Sequence, residues 1–185
     1  MSQAPKPVSL QAVRVTRAFD DALGRLTPAI QQTVAQAVGQ GHDATDAILA
    51  PLGETLMWLF SLDDLLLDHF GLGQYRQKQT ADPDGVVVLG LKLVRNAVVH
   101  GAQLVSIAKA HPGSVLGRAS LPMRIGAAPN CEWVSRGRLP KPPRHVRTPK
   151  DQALRETIYD SEIMGKPVAL PIRRAISFLR REAGT

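Results

Sequence analysis

Cysteine, aromatic residues and long uninterrupted apolar runs are all scarce in this chain of 185 residues. The lone cysteine, Cys131, excludes an internal disulfide framework and any zinc site built from several thiolates. Five histidines, His42, His69, His100, His111 and His145, show no metal-ligand spacing, so no metal and no other cofactor is expected. The richest apolar run, residues 48–62, is interrupted by Glu54, and the next, residues 86–94, by Lys92. Neither reaches the ~18 uncharged apolar residues that a membrane span requires. The opening residues 1–7 are polar and carry two prolines, with no apolar signal core behind a basic start. The expected setting is therefore soluble and cytoplasmic, without a membrane partner. Glycines form no G-x-G-x-x-G fingerprint, which argues against a dinucleotide-binding βαβ fold. Aromatics make up 4% of a chain that is 44% hydrophobic, so the interior is expected to be aliphatic and helical.

What the chain has in excess is positive charge, and its distribution matters more than its sum of +7. Residues 1–110 hold 9 Lys and Arg against 10 Asp and Glu, whereas residues 111–185 hold 14 against 6. All of the excess is C-terminal, as expected of a surface that meets phosphate, although a basic solvated face explains charge alone equally well.

The pattern of apolar residues divides the chain into three parts: a helical bundle over residues 1–111, a Pro-rich basic arm over 112–149 and a C-terminal helical segment over 150–185. In the first part, residues 8–39 read as one long kinked helix or two short ones around Thr27-Pro28. A second helical unit begins at Asp43, bends at Pro51 and stops at Gly71 and Gly73. Residues 74–81 read as a polar connection. A third helix is predicted from the Asp82-Pro83 start to about Ala110, and three such segments argue for an antiparallel bundle. Seven prolines over residues 112–149 leave room for little more than a short hairpin near 121–125 and 131–134. The fold class expected is mainly α.

Along the predicted third helix, Val87, Leu91, Val94, Val98, Ala102 and Val105 form one apolar stripe. Leu89, Leu93, Leu104 and Ile107 form a second, on the opposite side, with Asn96 and His100 at its middle and Arg95 beside them. A helix apolar on two sides is central or lies at a subunit interface, so a homodimer through the third helix is expected. The plain alternative is that Asn96 and His100 bond to each other inside the seam and Arg95 faces solvent.

Arg95-Asn96-Ala97-Val98-Val99-His100 resembles the signature of the HEPN superfamily, in which Arg, often followed by a polar residue, precedes His by four to six positions. Trp58-Leu59-Phe60-Ser61-Leu62-Asp63-Asp64 is similar to a segment of bacterial members. The resemblance covers roughly residues 8–110. It implies a dimeric helical bundle with the motif helices apposed, and a metal-independent endoribonuclease of a toxin–antitoxin or antiviral defence system, controlled by an antitoxin or a sensor protein. One HEPN subgroup carries Tyr two residues after the His, where this chain has Ala102.

The chemistry such a constellation supports is cleavage of RNA by its own 2′-hydroxyl. His100 would act as general base or acid, Arg95 would stabilise charge on the phosphate, and Asn96 would orient the phosphate or the imidazole. Asp63, Asp64 and Asp68 are candidates to orient Arg95, though a solvated acidic face or a capping role is the more ordinary one for them. Arg136, Arg138, Lys141, Arg144 and Arg147 form a proline-spaced basic arm suited to an RNA backbone, with Trp133 as a stacking platform. Two alternatives use the same residues. A non-catalytic module of the same fold would hold nucleic acid or nucleotide without cutting it, and an interaction protein would use the polar seam only to fix dimer register.

Overall fold

The computed structural model describes residues 10–40, 46–95, 104–108, 130–139 and 149–185. The molecule is mainly helical: α1 (Leu10–Gln40), α2 (Asp46–Phe70), α3 (Leu72–Ala81), α4 (Pro83–Leu91), α5 (Pro149–Glu162) and α6 (Ala169–Ala183) surround a shared core. A small antiparallel sheet pairs β1 (Val105–Ala108) with β2 (Asn130–Trp133), in the register Val105 opposite Trp133 and Ile107 opposite Cys131. No described helix is long and apolar enough to cross a membrane.

The two long helices pack against each other through Phe19 and Leu26 of α1 and Ile48, Leu52, Leu56, Leu59 and Leu62 of α2, all buried. Thr27-Pro28 does not start a new helix, because α1 runs through Pro28. The Thr27 hydroxyl bonds back to the Leu23 carbonyl, so the residue predicted to cap a helix lies within one. Gly71, at φ 75°, ends α2 in the left-handed region that L side chains avoid. Residues 74–81, expected as a connection, belong to α3. Apart from Leu72 at its start, that helix is polar along its exposed side, and it is tied to the core by buried Tyr75 and Gln79, a tertiary contact that a propensity reading misses.

Asp82 then caps α4, accepting from the Asp84 and Gly85 amides at 2.8 and 3.3 Å, with Pro83 in the first turn. Here the start signal predicted from the sequence is present as drawn. The end is not: α4 stops at Leu91, and residues predicted to continue the helix to Ala110 include the strand β1. The β-branched Val105 and Ile107 stand opposite Trp133 and Cys131 in an antiparallel ladder with β2, and the Val134 amide donates to the Leu104 carbonyl, so non-local pairing overrides the helical pattern. The second stripe is consequently not one helix face. Leu89 and Leu104 are already buried within a single chain, and the exposed-stripe argument for a dimer fails with the helix that carried it.

The C-terminal segment packs into the same core as the bundle. Ile172, Phe178 and Leu179 of α6 are buried, and α5 and α6 both pack on α4. Each such side chain contributes ~1.5–3 kcal/mol, against ~0–1 kcal/mol for a partly exposed ion pair, so burial holds α6 in place and charge fixes its register. Arg174 supplies that register by reaching Asp84 at 2.9 Å, Glu162 at 2.7 Å and the Pro83 carbonyl at 3.0 Å. Beyond β2, the Val168 amide donates to the Cys131 carbonyl and the Trp133 amide to that of Lys166, which sews the α5–α6 joint onto the sheet.

Candidate functional site

After Leu91 the backbone tightens. The amides of Leu93 and Val94 donate to the carbonyls of Gly90 and Leu91, three residues back, and Arg95 follows this turn directly. Val94 is buried, which turns the neighbouring Arg95 side chain outward.

Two adjacent carboxylates on α2 hold the turn. Asp63, fully buried, receives Lys92 Nζ at 2.6 Å on Oδ2, while its Oδ1 accepts from the Tyr75 hydroxyl at 2.8 Å and from Gln79 Nε2 at 2.9 Å. Burial, followed by the charge of Asp63, pushes the Tyr75 hydroxyl far above its ordinary value, so it stays a donor. Asp64, the next residue, faces outward and receives Arg95 end-on: Nη1 donates to Oδ1 at 3.3 Å and Nη2 to Oδ2 at 2.8 Å. Both side chains of this outer pair are 47% exposed. The Arg95 guanidinium also lies 5.3 Å from the centre of the buried Phe60 ring, one turn before Asp64 on α2, a cation–π contact.

The arrangement therefore consists of an inner, buried pair that fixes the backbone and an outer pair that presents a cation to solvent. A guanidinium so presented can bind the oxygens of a phosphate or stabilise charge developing on one. Asp63, weighed from the sequence as part of a solvated acidic face, is in fact in the core; Asp64 is the carboxylate that contacts Arg95, and Asp68 is exposed. Phe60 and Lys92 were not anticipated. The spacing Phe60-x3-Asp64 puts that pair on one helical face and so was a signal for Phe60, whereas Lys92 lies in the turn after α4 and had none.

Asn96 and His100 lie outside the described residues, as do Lys141, Arg144 and Arg147. Arg138 is exposed on a 3-10 turn, Arg136–Arg138, that follows β2. Arg136 is engaged already, with Glu156 and with Asp160 on α5. Trp133 requires correction. It is 1% exposed in β2, and its indole donates to the Val168 carbonyl at 3.2 Å, so both ring faces belong to the core and neither is open to a stacking base. Cys131 beside it is buried as well. Among the described residues, no three His, Cys, Asp or Glu side chains come together as metal ligands.

No family model, curated protein or solved structure matches this chain.

Proposed function

We propose that the protein is a HEPN-like endoribonuclease that cleaves RNA through its own 2′-hydroxyl and serves as a toxin or antiviral effector. The observation that carries this reading is Arg95, the first residue of the motif. It stands half-exposed directly after a turn anchored in the core, held by Asp64 and Phe60 and open to an anion. In this mechanism Arg95 binds the scissile phosphate and offsets the charge that grows on its oxygens as the 2′-oxygen attacks. His100 takes the 2′-hydroxyl proton or returns one to the leaving 5′-oxygen, and Asn96 orients the phosphate. The products are a 2′,3′-cyclic phosphate and a 5′-hydroxyl. A two-fold dimer belongs to this reading because one His100 serves as base or as acid in a given step, and a second copy supplies the complementary group. Light scattering at micromolar concentration is expected to give the mass of two chains; the mass of one chain removes the dimer.

The nucleophile is supplied by the substrate, so cleavage of a labelled RNA is expected in the presence of EDTA. Mapping of the product ends is expected to find cyclic phosphate. The excess of 14 basic over 6 acidic residues in 111–185 favours a second reading, a module that holds RNA without cutting it. Retention of intact RNA in the same assay selects that reading, and cleavage that requires Mg²⁺ overturns the first.

A further inference from the structure

Arg95 and Asp64 meet in a particular way. A guanidinium carries five N–H donors in one plane, arranged as an end edge formed by Nη1 and Nη2 and a side edge formed by Nε and one Nη. Asp64 occupies the end edge with both of its oxygens, and Nε takes part in neither bond. The Phe60 ring lies beneath the group, its centre 5.3 Å from the guanidinium carbon. Asp64 itself does not drift, because the preceding residue, Asp63, is locked in the core by Tyr75, Gln79 and Lys92. Lys92 in turn stands three residues before Arg95, so the same pair of neighbouring acids pins both ends of the presenting turn.

From this geometry we infer that Asp64 is a positioning residue. It takes up the end edge of Arg95 and directs the side edge, Nε with one Nη, toward two oxygens of a phosphodiester. The inference rests on the ribonuclease reading of the same site and adds the part that aims the phosphate-binding group. It also has an electrostatic consequence. A carboxylate beside a phosphate site repels the ground-state anion while holding the geometry that the transition state needs, so its removal separates affinity from rate. Loss of Asp64 frees Arg95 to follow any anion in any orientation, and misplacement by about 1 Å can cost ~10²-fold in rate.

The test is a steady-state comparison of wild type, Asp64→Ala, Asp64→Asn, Asp64→Glu, Arg95→Ala and the Asp64→Ala/Arg95→Ala double variant on a fluorophore–quencher RNA oligonucleotide. Affinity for a 2′-O-methyl RNA of the same sequence is measured alongside, with circular dichroism to verify folding. The expected result is a kcat at least ~10-fold lower in Asp64→Ala, a KM and an affinity for the uncleavable RNA that do not weaken, partial recovery in Asp64→Glu, and no further loss in the double variant relative to Arg95→Ala. Asp64→Asn keeps the side-chain shape, so it carries the same test if the alanine variant misfolds. An active wild type whose kcat is unchanged by all three Asp64 substitutions overturns the positioning role and leaves the ribonuclease reading intact. A rise in KM at constant kcat also overturns it, since that marks an ordinary binding residue. An inactive wild type overturns both.

Discussion

Asp63 and Asp64 are neighbours in sequence with opposite environments, and the difference decides what each substitution does. Asp63 is fully buried, accepts hydrogen bonds from Tyr75 and Gln79 on Oδ1 and ion-pairs with Lys92 through Oδ2, so Asp63→Ala leaves the Tyr75 hydroxyl, the Gln79 amide and the Lys92 ammonium without their shared partner. The expected loss is ~3–5 kcal/mol of unfolding free energy in urea denaturation, with Asp63→Asn losing less because it keeps one acceptor oxygen. A loss under ~1 kcal/mol would mean that the cluster is wet or dispensable. The environment of Asp63 was legible: Leu56, Leu59, Asp63 and Leu66 recur at three- and four-residue steps, and its apolar companions are all buried. A carboxylate on such a stripe needs a partner, but the sequence does not say that the partners come from α3 and the turn after α4. Trp133 shows the converse failure. Basic residues follow it in sequence, yet its strand alternation with Cys131 places both side chains in the core.

Among the elements, α4 has the closest surroundings. At Gly90 an added Cβ meets Ile158 Cγ2 at 2.7 Å and Ile163 Cδ1 at 2.8 Å. Alanine gains up to ~1 kcal/mol in helix propensity, but the overlap with two branched core side chains costs ~1–3 kcal/mol, so Gly90→Ala is expected to lower the thermal midpoint. The other end of α4 carries a pH dependence. Burial works against the charged form of Asp82, yet hydrogen bonds from Arg181 and from the Asp84 and Gly85 amides outweigh it and hold the carboxyl below its ordinary value. Arg174 foremost, helped by Lys166, does the same for Glu162 against the opposing effect of burial. Depressed values in the folded state mean that the unfolded chain binds these protons first. Their contribution is complete above the unfolded values, ~3.9 for Asp and ~4.3 for Glu, and disappears as pH falls through the lower folded values. Stability is therefore expected to drop on acidification below about pH 4, and Glu162→Gln is expected to flatten that slope. An identical slope in the variant contradicts the linkage. The capping signal for this helix could be read in Asp82-Pro83, whereas its end could not, because β1 forms only through β2, which lies 25 residues further along.

For the molecule as a whole, the division of charge does not coincide with the division of packing. The basic C-terminal part contributes α5, α6 and β2 to the core that α1, α2 and α4 also build. Truncation before Pro149 is accordingly expected to expose the buried face of α4 and abolish the cooperative thermal transition. A truncated chain that melts at the wild-type temperature would restore the picture of an appended arm. The helical class and the starts of several helices were available from composition and spacing. The joining of the two ends of the chain was not, since it depends on contacts such as Arg174 with Asp84 that are 90 residues apart. The functional assignment gathers on the motif that begins at Arg95, and its most direct test is the initial rate of RNA cleavage in EDTA by wild type and by His100→Ala. The account predicts a fall of at least ~10²-fold in the variant, the usual scale for losing a general acid–base, with 2′,3′-cyclic phosphate ends in the wild-type products. Cleavage by His100→Ala at the wild-type rate would contradict it.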